Sequence, residues 1–311
     1  MKLWNFGEKR KIERKAIMAL HNKGEEKNRV EAGVLYLVAT PIGNLSDISE
    51  RALKVLAEAD FVAAEDTRNT LRLLSHFEIS TTLVSYHEHN KHEAGERICE
   101  RLEAGESCAL VTDAGTPGIS DPGADLVALC ADRGIKVTSV PGACAGIDAL
   151  ILSALPTVRF VFEGFLPMQK KERAERLSQI ALEQRTVILH EAPHKLKTTL
   201  SDLANTLGGD RRIAVCRELT KLNEEILRIT LLDAVELYSE KEPRGEYVLV
   251  VEGSSDVANI KNRATETDGM TASAAVAYYE KKGMTKKEAM KRSAEDRGMS
   301  RNEFYKILLE E

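Results

Sequence analysis

The sequence predicts an α/β protein with two α/β domains and a small helical module at its C-terminal end. Three observations support this prediction. Apolar runs of strand length alternate with segments of helix length through residues 33–157, as in a parallel sheet that helices cover on both faces. A less regular alternation continues through residues 158–253. After a polar linker at 254–269, residues 270–311 show three short helical patterns.

Composition narrows the functional classes. The 311 residues include 43% hydrophobic and 30% charged side chains, which is ordinary for a soluble protein. The net charge of −5 does not indicate a nucleic-acid partner, although a local basic face can still bind one. Five cysteines without CxxC spacing predict buried, reduced thiols. No apolar run reaches the length of a membrane span, so we expect a cytoplasmic protein with no membrane partner and no signal peptide.

The first domain shows five strand patterns in order along the chain. The predicted strands are 34–40, 61–64, 82–86, 108–111 and 136–140. The predicted helices between and after them are 71–77, 94–102, 124–133 and 143–155. A further helix is predicted to begin at Asp47, with Glu50 completing a capping box. This order predicts a mostly parallel sheet with helices on both faces.

The second domain and the two ends of the chain are less regular. The predicted strands are 160–165, 186–191, 213–221, 225–231 and 247–253, with a helix at 171–184, which indicates a mixed sheet. In the tail we predict a helix at 272–281, and Thr285 and Ser300 open two more as capping boxes. This basic helix-turn-helix outline suits either nucleic-acid contact or a solvated bundle. Residues 1–32 are a charged extension, in which 8–22 predict a basic amphipathic helix that suits RNA, a partner or loose docking.

Unusual polar motifs directly follow the strands of the first domain. They read PIGNL, EDTR, HEHN, TDAGTPGISDPG and PG. Because the carboxyl ends of parallel strands share one edge, we expect these motifs to converge on one ligand site. No GxGxxG follows the first strand and no GxxxxGK[ST] is present, which argues against the usual NAD and ATP sites. The spacing of His87, Glu88, His89 and His92 is not a standard zinc pattern, so no metal is predicted.

The motifs resemble the ribosomal RNA methyltransferases of the tetrapyrrole methylase superfamily. The matching stretches are LYLVATPIGNLSDISERAL, EDTR, YHEHN, TDAGTPGISDPG, VPGACAGIDAL, FEGFLP, HEAPHKL, RELTK and GEYVLVVEG, across residues 34–253. The chain departs from the family pattern at Thr112, Lys195 and Asn223. The resemblance implies two α/β domains with a cleft for S-adenosylmethionine between them. It also implies a homodimer that methylates the 2′-oxygen of a cytidine in the decoding centre of small-subunit (16S) ribosomal RNA, free or in the subunit.

The resemblance also implies the residues that bind the cofactor. They are Pro41, Gly43, Asp113, Gly115, Thr116, Pro117, Ser120, Asp121, Pro122, Gly123, Pro141 and Gly142. Shaped backbone loops suit a nucleoside, and methyl transfer depends on positioning the reacting atoms in line.

The acceptor hydroxyl is a poor nucleophile that benefits from a nearby base. We therefore expect Asp66 or Glu65 to orient or deprotonate it, and Arg68, His87 and Asn90 to hold the ribose or its phosphates. A structural ion pair of Asp66 with Arg68 is the alternative. At the level of function, the alternatives are a methyltransferase for a small tetrapyrrole-type molecule and a non-catalytic RNA-binding module.

Overall fold

The computed structural model describes residues 29–255, 267, 269–297, 299 and 301–311. The helix predicted at 8–22, and Ser300 with its capping role, lie outside the described residues. Among the described residues the chain forms two compact units. The first contains the chain up to Leu152 together with Cys216–Glu225, and the second contains Ser153–Val215 and the chain from Ile226 onwards. The predicted domain boundaries at 157 and 253 stay a prediction.

The first unit alternates strands and helices as predicted. Its strands are β1 (Val34–Val38), β2 (Phe61–Ala64), β3 (Thr82–Ser85), β4 (Cys108–Val111) and β5 (Lys136–Val140). Its helices are α1 (Glu50–Glu58), α2 (Thr67–His76), α3 (Lys91–Glu103), α4 (Gly123–Asp132) and α5 (Ala145–Leu152). The strands lie in the order β3-β2-β4-β1-β5, and the neighbouring strands pair in parallel. The predicted parallel sheet is confirmed.

The three central strands, β2, β4 and β1, are buried on both faces, which explains their nearly continuous apolar runs. Successive side chains of a strand point to opposite faces. Accordingly, Val34 and Tyr36 of β1 belong to one hydrophobic core, whereas Leu35 belongs to a second core. Helix α1 packs Ala52, Val55 and Leu56 into the first core, and α3 and α4 contribute Ile98 and Leu126, among others, to the second.

The second unit contains a mixed sheet, as predicted. Its elements are β6 (Phe160–Gly164), α6 (Lys170–Leu182), β7 (Thr186–Glu191), α7 (Pro193–Leu207), β8 (Arg212–Arg217), β9 (Glu225–Thr230), α8 (Leu231–Glu240) and β10 (Tyr247–Val251). The strand order is β6-β7-β10-β8-β9. Strand β6 runs parallel to β7, and β10 runs antiparallel to it. Helices α7 and α8 were not predicted, although Pro at the start of α7 and the Thr230–Asp233 capping box of α8 are recognisable signals.

The three tail helices are confirmed. They are α9 (Ala272–Lys281), α10 (Lys286–Asp296) and α11 (Arg301–Glu310). They bury a small core of their own that includes Val276, Ala289 and Phe304. The predicted capping box opens α10, because the Glu288 carboxylate accepts hydrogen bonds from the Thr285 backbone N–H at 3.0 Å and hydroxyl at 2.7 Å.

Several predicted boundaries are wrong. Helix α3 begins at Lys91 and not at 94, and α5 ends at Leu152 and not at 155. Three further errors have a clear local cause. Helix α1 begins after Ser49, whose hydroxyl accepts from the Ala52 N–H at 3.1 Å, and Asp47 ends a preceding 3-10 turn (Leu45–Asp47). Helix α2 begins at Thr67 and not at 71, because Asp66 caps it. Strand β8 ends at Arg217 and not at 221, because Glu218 and Thr220 adopt positive φ angles of 52° and 65° that break the extended backbone.

The cysteines behave largely as predicted. Cys99, Cys108, Cys130 and Cys216 are buried free thiols, and Cys144 is a half-buried one. Burial raises the pKa of the Cys130 thiol to about 12, which makes it an inert core residue. No helix within the described part of the chain has both the length and the apolarity that crossing a bilayer requires.

Candidate active site

The five strands of the first sheet end at one level. The residues in register at that level are Val38, Ala64, Ser85, Val111 and Val140. The polar motifs therefore leave the sheet at one edge, as expected for a parallel sheet. The contacts between these motifs define the candidate site.

The loop from Thr112 to Gly123 folds around the Asp121 carboxylate. This carboxylate accepts hydrogen bonds from the backbone N–H groups of Gly118 at 2.9 Å, Ile119 at 3.1 Å and Gly123 at 2.7 Å. Ser120 between them adopts a φ of 63°. A Cβ atom on Gly123 would lie only 2.7 Å from the Asp121 oxygen, so this position has no room for a side chain. Asp121 is thus the internal support of the loop.

The loop after β1 is joined to the loop after β4 by an isolated bridge. The Thr40 N–H donates to the Gly115 carbonyl at 2.9 Å, and the Gly115 N–H donates back to Thr40 at 3.1 Å. Gly115 has a φ of 87°, which a residue with a Cβ atom rarely adopts. Pro41 and Gly43 follow directly, so the bridge holds the start of PIGN beside the β4 loop.

The loop after β5 joins the same group. The Thr116 hydroxyl donates to the Ala143 carbonyl at 2.9 Å. A Cβ atom on Gly142 would lie 2.8 Å from the Cβ of Ala39, so the Pro141–Gly142 backbone is pressed against the end of β1. Pro141 and Gly142 are themselves exposed. Three loops therefore form one connected rim with accessible backbone.

A fourth segment packs on this rim within the first unit. A Cβ atom on Gly43 would overlap the Lys221 side chain and would lie 2.8 Å from the Thr220 hydroxyl. This hydroxyl is buried and has no hydrogen-bond partner among the described residues. Lys221 itself pairs with Glu218 at 2.8 Å. The segment 218–221, part of the RELTK motif, is thus a component of the site.

The two acids after β2 lie beside the β4 loop. The Glu65 carboxylate accepts from the Thr112 hydroxyl at 2.8 Å, and the Asp66 N–H donates to the Asp113 carboxylate at 3.2 Å. The predicted neighbourhood of EDTR and TDAG is therefore present. Asp113 is exposed, which leaves its carboxylate accessible at the rim.

The Asp66 carboxylate is engaged with Arg68. It accepts from the Arg68 backbone N–H at 2.8 Å and from the guanidinium at 3.1 and 2.8 Å. These bonds lower the pKa of Asp66 to about 2. A carboxylate with so low a pKa is a weak base at neutral pH. The ion pair that sequence reasoning left as an alternative is present, and 85% of the Arg68 side chain is exposed.

The HEHN motif is also partly structural. The Asn90 side chain accepts from the His87 N–H at 2.8 Å and donates to the Ser85 carbonyl at 3.1 Å, so its amide shapes the turn after β3. The His87 Nδ1 atom is buried and has no partner among the described residues. Its ring lies 5.9 Å from that of His89. Glu88 pairs instead with Lys91 at 2.8 Å.

Several predicted cofactor residues are buried supports of the loop. Pro117, Pro122 and Gly123 are buried, and the Tyr86 hydroxyl donates to the Pro122 carbonyl at 2.9 Å. Gly43 and Ser120 are exposed at the rim, and Pro41 and Thr116 are half-buried. The structure thus places all the predicted site residues at one edge of the sheet. Some of them are buried beneath the loops, and the others are exposed or half-buried at the rim.

A model of the family Tetrapyrrole (Corrin/Porphyrin) Methylases matches residues 34–235. The chain belongs to the tetrapyrrole methylase family. It is 46% identical to Ribosomal RNA small subunit methyltransferase I of Synechocystis sp., over 89% of this chain and 98% of that protein. It is 48% identical to the protein of the same name from Bacillus subtilis, over 88% and 94%. Among solved structures, uroporphyrin-III-C-methyltransferase from Thermus thermophilus aligns with a TM-score of 0.52 at 20% identity, over 71% and 94% of the two chains.

Membership of the tetrapyrrole methylase family confirms the fold class that the resemblance implied. It also confirms the class of reaction and the methyl donor: the chain is a methyltransferase that uses S-adenosylmethionine.

Three contributors to this candidate site were not predicted from the sequence. They are Thr40, the Ala143 carbonyl and the segment 218–221. Thr40 carried a weak signal, as the polar end of an apolar strand. The segment 218–221 was visible as the RELTK motif, but it was assigned to a strand. The Ala143 carbonyl carries no sequence signal, because any residue supplies one.

Asp121→Ala tests whether the internal support of the loop governs cofactor binding. Three backbone N–H groups lose their acceptor, and we expect a destabilisation of about 1–3 kcal/mol. We expect the affinity for S-adenosylmethionine, measured by calorimetry, to fall at least about tenfold. Asp121→Asn keeps one acceptor oxygen and is expected to lose less. Asp132→Asn, on the exposed end of α4, is the matched control. Wild-type affinity in Asp121→Ala would contradict this role.

Proposed function

We propose that the chain transfers a methyl group from S-adenosylmethionine to the 2′-hydroxyl of a cytidine in the decoding centre of small-subunit ribosomal RNA. The observation that carries the proposal is the near full-length match to relatives named for this RNA. Such relatives are 46–48% identical over 88–91% of this chain and 94–98% of their own length. The 2′-oxygen, the cytidine and the decoding centre come from the family resemblance.

The rim of joined loops fits a nucleoside cofactor. Its exposed parts are backbone of Pro141, Gly142 and Ser120 and the accessible carboxylate of Asp113. Backbone groups and a carboxylate can hydrogen-bond the hydroxyl and amino groups of a nucleoside. When bound, S-adenosylmethionine supplies an electrophilic methyl group. We propose that Asp121 and the Thr40–Gly115 bridge act indirectly, because they hold the rim in shape.

We propose that the EDTR and HEHN motifs bind and orient the ribose that accepts the methyl group. Asp66 is ionised at neutral pH, since its pKa lies at about 2, so its role is to orient the ribose hydroxyl rather than to take its proton. Arg68 is exposed and cationic, which suits a phosphate. His87 retains a buried ring nitrogen without a partner, which suits a contact with the ribose. Glu65 lies next to Asp66 in the chain and accepts a hydrogen bond from Thr112. It is the other acid that we propose to orient or deprotonate the acceptor hydroxyl.

Two further properties belong to this proposal. The family resemblance implies a homodimer, which sedimentation of the purified protein tests. A cytoplasmic location agrees with a ribosomal substrate, and fractionation of cells tests it.

The proposed reaction predicts one ribose methyl group. Small subunits from a strain that lacks the gene are incubated with the purified protein and S-adenosylmethionine labelled in its methyl group. We expect the label at one cytidine, and resistance to alkaline cleavage at its 3′ side, because the methyl group blocks the attacking 2′-oxygen. Asp121→Ala is the matched control protein.

The same assay separates the alternatives. Label on a base would contradict the 2′-oxygen. Transfer to a tetrapyrrole but not to RNA would favour a small-molecule enzyme. RNA binding without any cofactor binding would favour a non-catalytic module.

Asp66→Asn tests the role of the EDTR motif. The change removes the charge that pairs with Arg68 and keeps the size of the side chain. We expect single-turnover methylation to fall about tenfold or more, while the affinity for S-adenosylmethionine changes little, since positioning governs this step. Because the pKa of Asp66 is depressed to about 2, the carboxylate stays ionised above about pH 4. We therefore expect no loss of methylation rate from protonation of Asp66 as the pH falls to about 4.

The control for Asp66→Asn is Glu58→Gln, which breaks the surface ion pair with Lys54 on α1. Undiminished methylation would leave Asp66 as a helix cap only. An equal loss of cofactor affinity would move Asp66 into the cofactor group.

The tail module offers a salt-dependent prediction. Lys286 and Lys287 are exposed at the start of α10. If these two lysines contact RNA phosphates, replacing both with Ala makes the binding constant for RNA less sensitive to salt. The slope of its logarithm against the logarithm of salt concentration becomes shallower by about 0.7 per lost contact. The measurement is filter binding of small subunits between about 50 and 200 mM salt. A double change of Lys54 and Lys197 to Ala alters the net charge equally and is the control. An unchanged slope would favour the solvated bundle.

A further inference from the structure

A small cavity lies against the amino-terminal half of β1 and β5, away from the end of the sheet where the methylase motifs converge. Its volume is about 110 Å³. The polar residues that line it are Arg29, Glu31, Tyr36, Arg51, Lys136 and Thr138. Val34 and Lys136 pair at the start of the two strands, whereas Val38 and Val140 pair at the rim. Four residues of strand separate the two levels, which corresponds to about 13 Å.

The charges around the cavity do not cancel. Glu31 forms an ion pair with Lys136 at 2.6 Å, so these two charges are matched. Arg29 and Arg51 have no carboxylate partner among the described residues. Two guanidinium groups, each with several N–H donors, therefore line this cavity, whereas Glu31 is the one acidic side chain that lines it among the described residues and is already paired.

The hydroxyl groups of the cavity point to the same kind of ligand. The Tyr36 oxygen accepts a hydrogen bond from the Glu31 N–H at 2.8 Å. Tyr36 is only 4% exposed, and no described residue accepts the proton of its hydroxyl. A buried donor without an acceptor is costly, and a bound anion would satisfy it. Thr138 adds a second hydroxyl at the same wall.

We propose that this cavity is a phosphate-binding site, in which Arg29 and Arg51 supply the charge and Tyr36 and Thr138 donate hydrogen bonds. Guanidinium groups match the geometry of phosphate oxygens. The basic segment 8–22 precedes Arg29 in the chain, but it carries the same sign of charge and is a poor occupant. The source of the phosphate is either the backbone of the RNA substrate, which rests on the proposed function, or a free phosphate or pyrophosphate ion.

The site is tested by variants with opposite expected effects. Arg29→Gln with Arg51→Gln removes both unpaired charges, and we expect the affinity for the anion to fall about tenfold or more. Glu31→Gln removes the carboxylate that lines the cavity in the described part of the chain. We expect this variant to bind the anion about threefold more tightly, because an anion no longer faces that negative charge. A purely structural role of these residues would not produce a gain. Arg72→Gln, an exposed arginine on α2, is the matched control.

Two measurements distinguish the sources. In the first, inorganic phosphate and pyrophosphate are titrated into the full-length protein, with chloride at equal ionic strength as reference, and amide NMR shifts near Tyr36 are followed. In the second, filter binding of small subunits is measured against salt, where each lost phosphate contact lowers the slope by about 0.7. The affinity for S-adenosylmethionine serves as the folding control and is expected to be unchanged.

A reduced salt slope in the double variant assigns the site to the RNA backbone. Saturable binding of phosphate or pyrophosphate that the double variant loses, with an unchanged slope, assigns it to a free anion. The proposal is overturned if neither the ion titration nor the RNA slope differs between the wild type and the variants. If the wild type binds no RNA at all, the proposed function fails, and the ion titration still decides the phosphate site.

Discussion

Parallel pairing brings Val38, Ala64, Ser85, Val111 and Val140 to one level, and the site depends on that register. Side chains alternate between the two faces of a strand, so a slip of one residue in β4 would move each of its side chains to the opposite core. It would also move Thr112 away from Glu65, whose hydrogen bond links the second and fourth strand ends. The buried apolar pattern of the strands therefore specifies the position of the polar loops, although it contains none of their chemistry.

At this edge, much of the polar chemistry serves the loops themselves. Asp121 accepts three backbone hydrogen bonds, and Asp66 caps α2 and binds Arg68. Such groups cost little to bury or fix, because their charges are compensated locally. The predicted site residues that remain exposed include Pro141, Gly142 and Ser120, together with Asp113 and Arg68. A rigid backbone surface suits a reaction in which the methyl group is already activated, since the protein's main task is then to align the reacting atoms.

The sequence predicted the strands of the first unit within two residues and placed the five polar motifs at one edge of the sheet. Both results rest on hydrophobic patterns and on the parallel topology, which act over whole elements. The errors have local causes. Ser49, and not Asp47, caps α1 because a 3-10 turn intervenes, and such a turn has no periodic signal. Segment 218–221 was assigned to a strand because its positive φ values at Glu218 and Thr220 occur at residues that rarely adopt them. Its packing against Gly43 joins residues far apart in the chain, which composition and periodicity do not reveal.

An acidic protein that binds RNA must solve an electrostatic problem. The net charge of −5 opposes RNA at long range, but at physiological salt this field is screened beyond about 8 Å. Affinity then depends on cationic groups that are largely exposed, as Arg68 is, or that have no carboxylate partner among the described residues. Arg101 and Arg173 meet neither condition, because each is paired with an acid and is mostly covered. Arg29 and Arg51 are different, because the acid in their cavity already neutralises Lys136. Local pairing and exposure, and not overall composition, thus determine which positive charges are available to a phosphate.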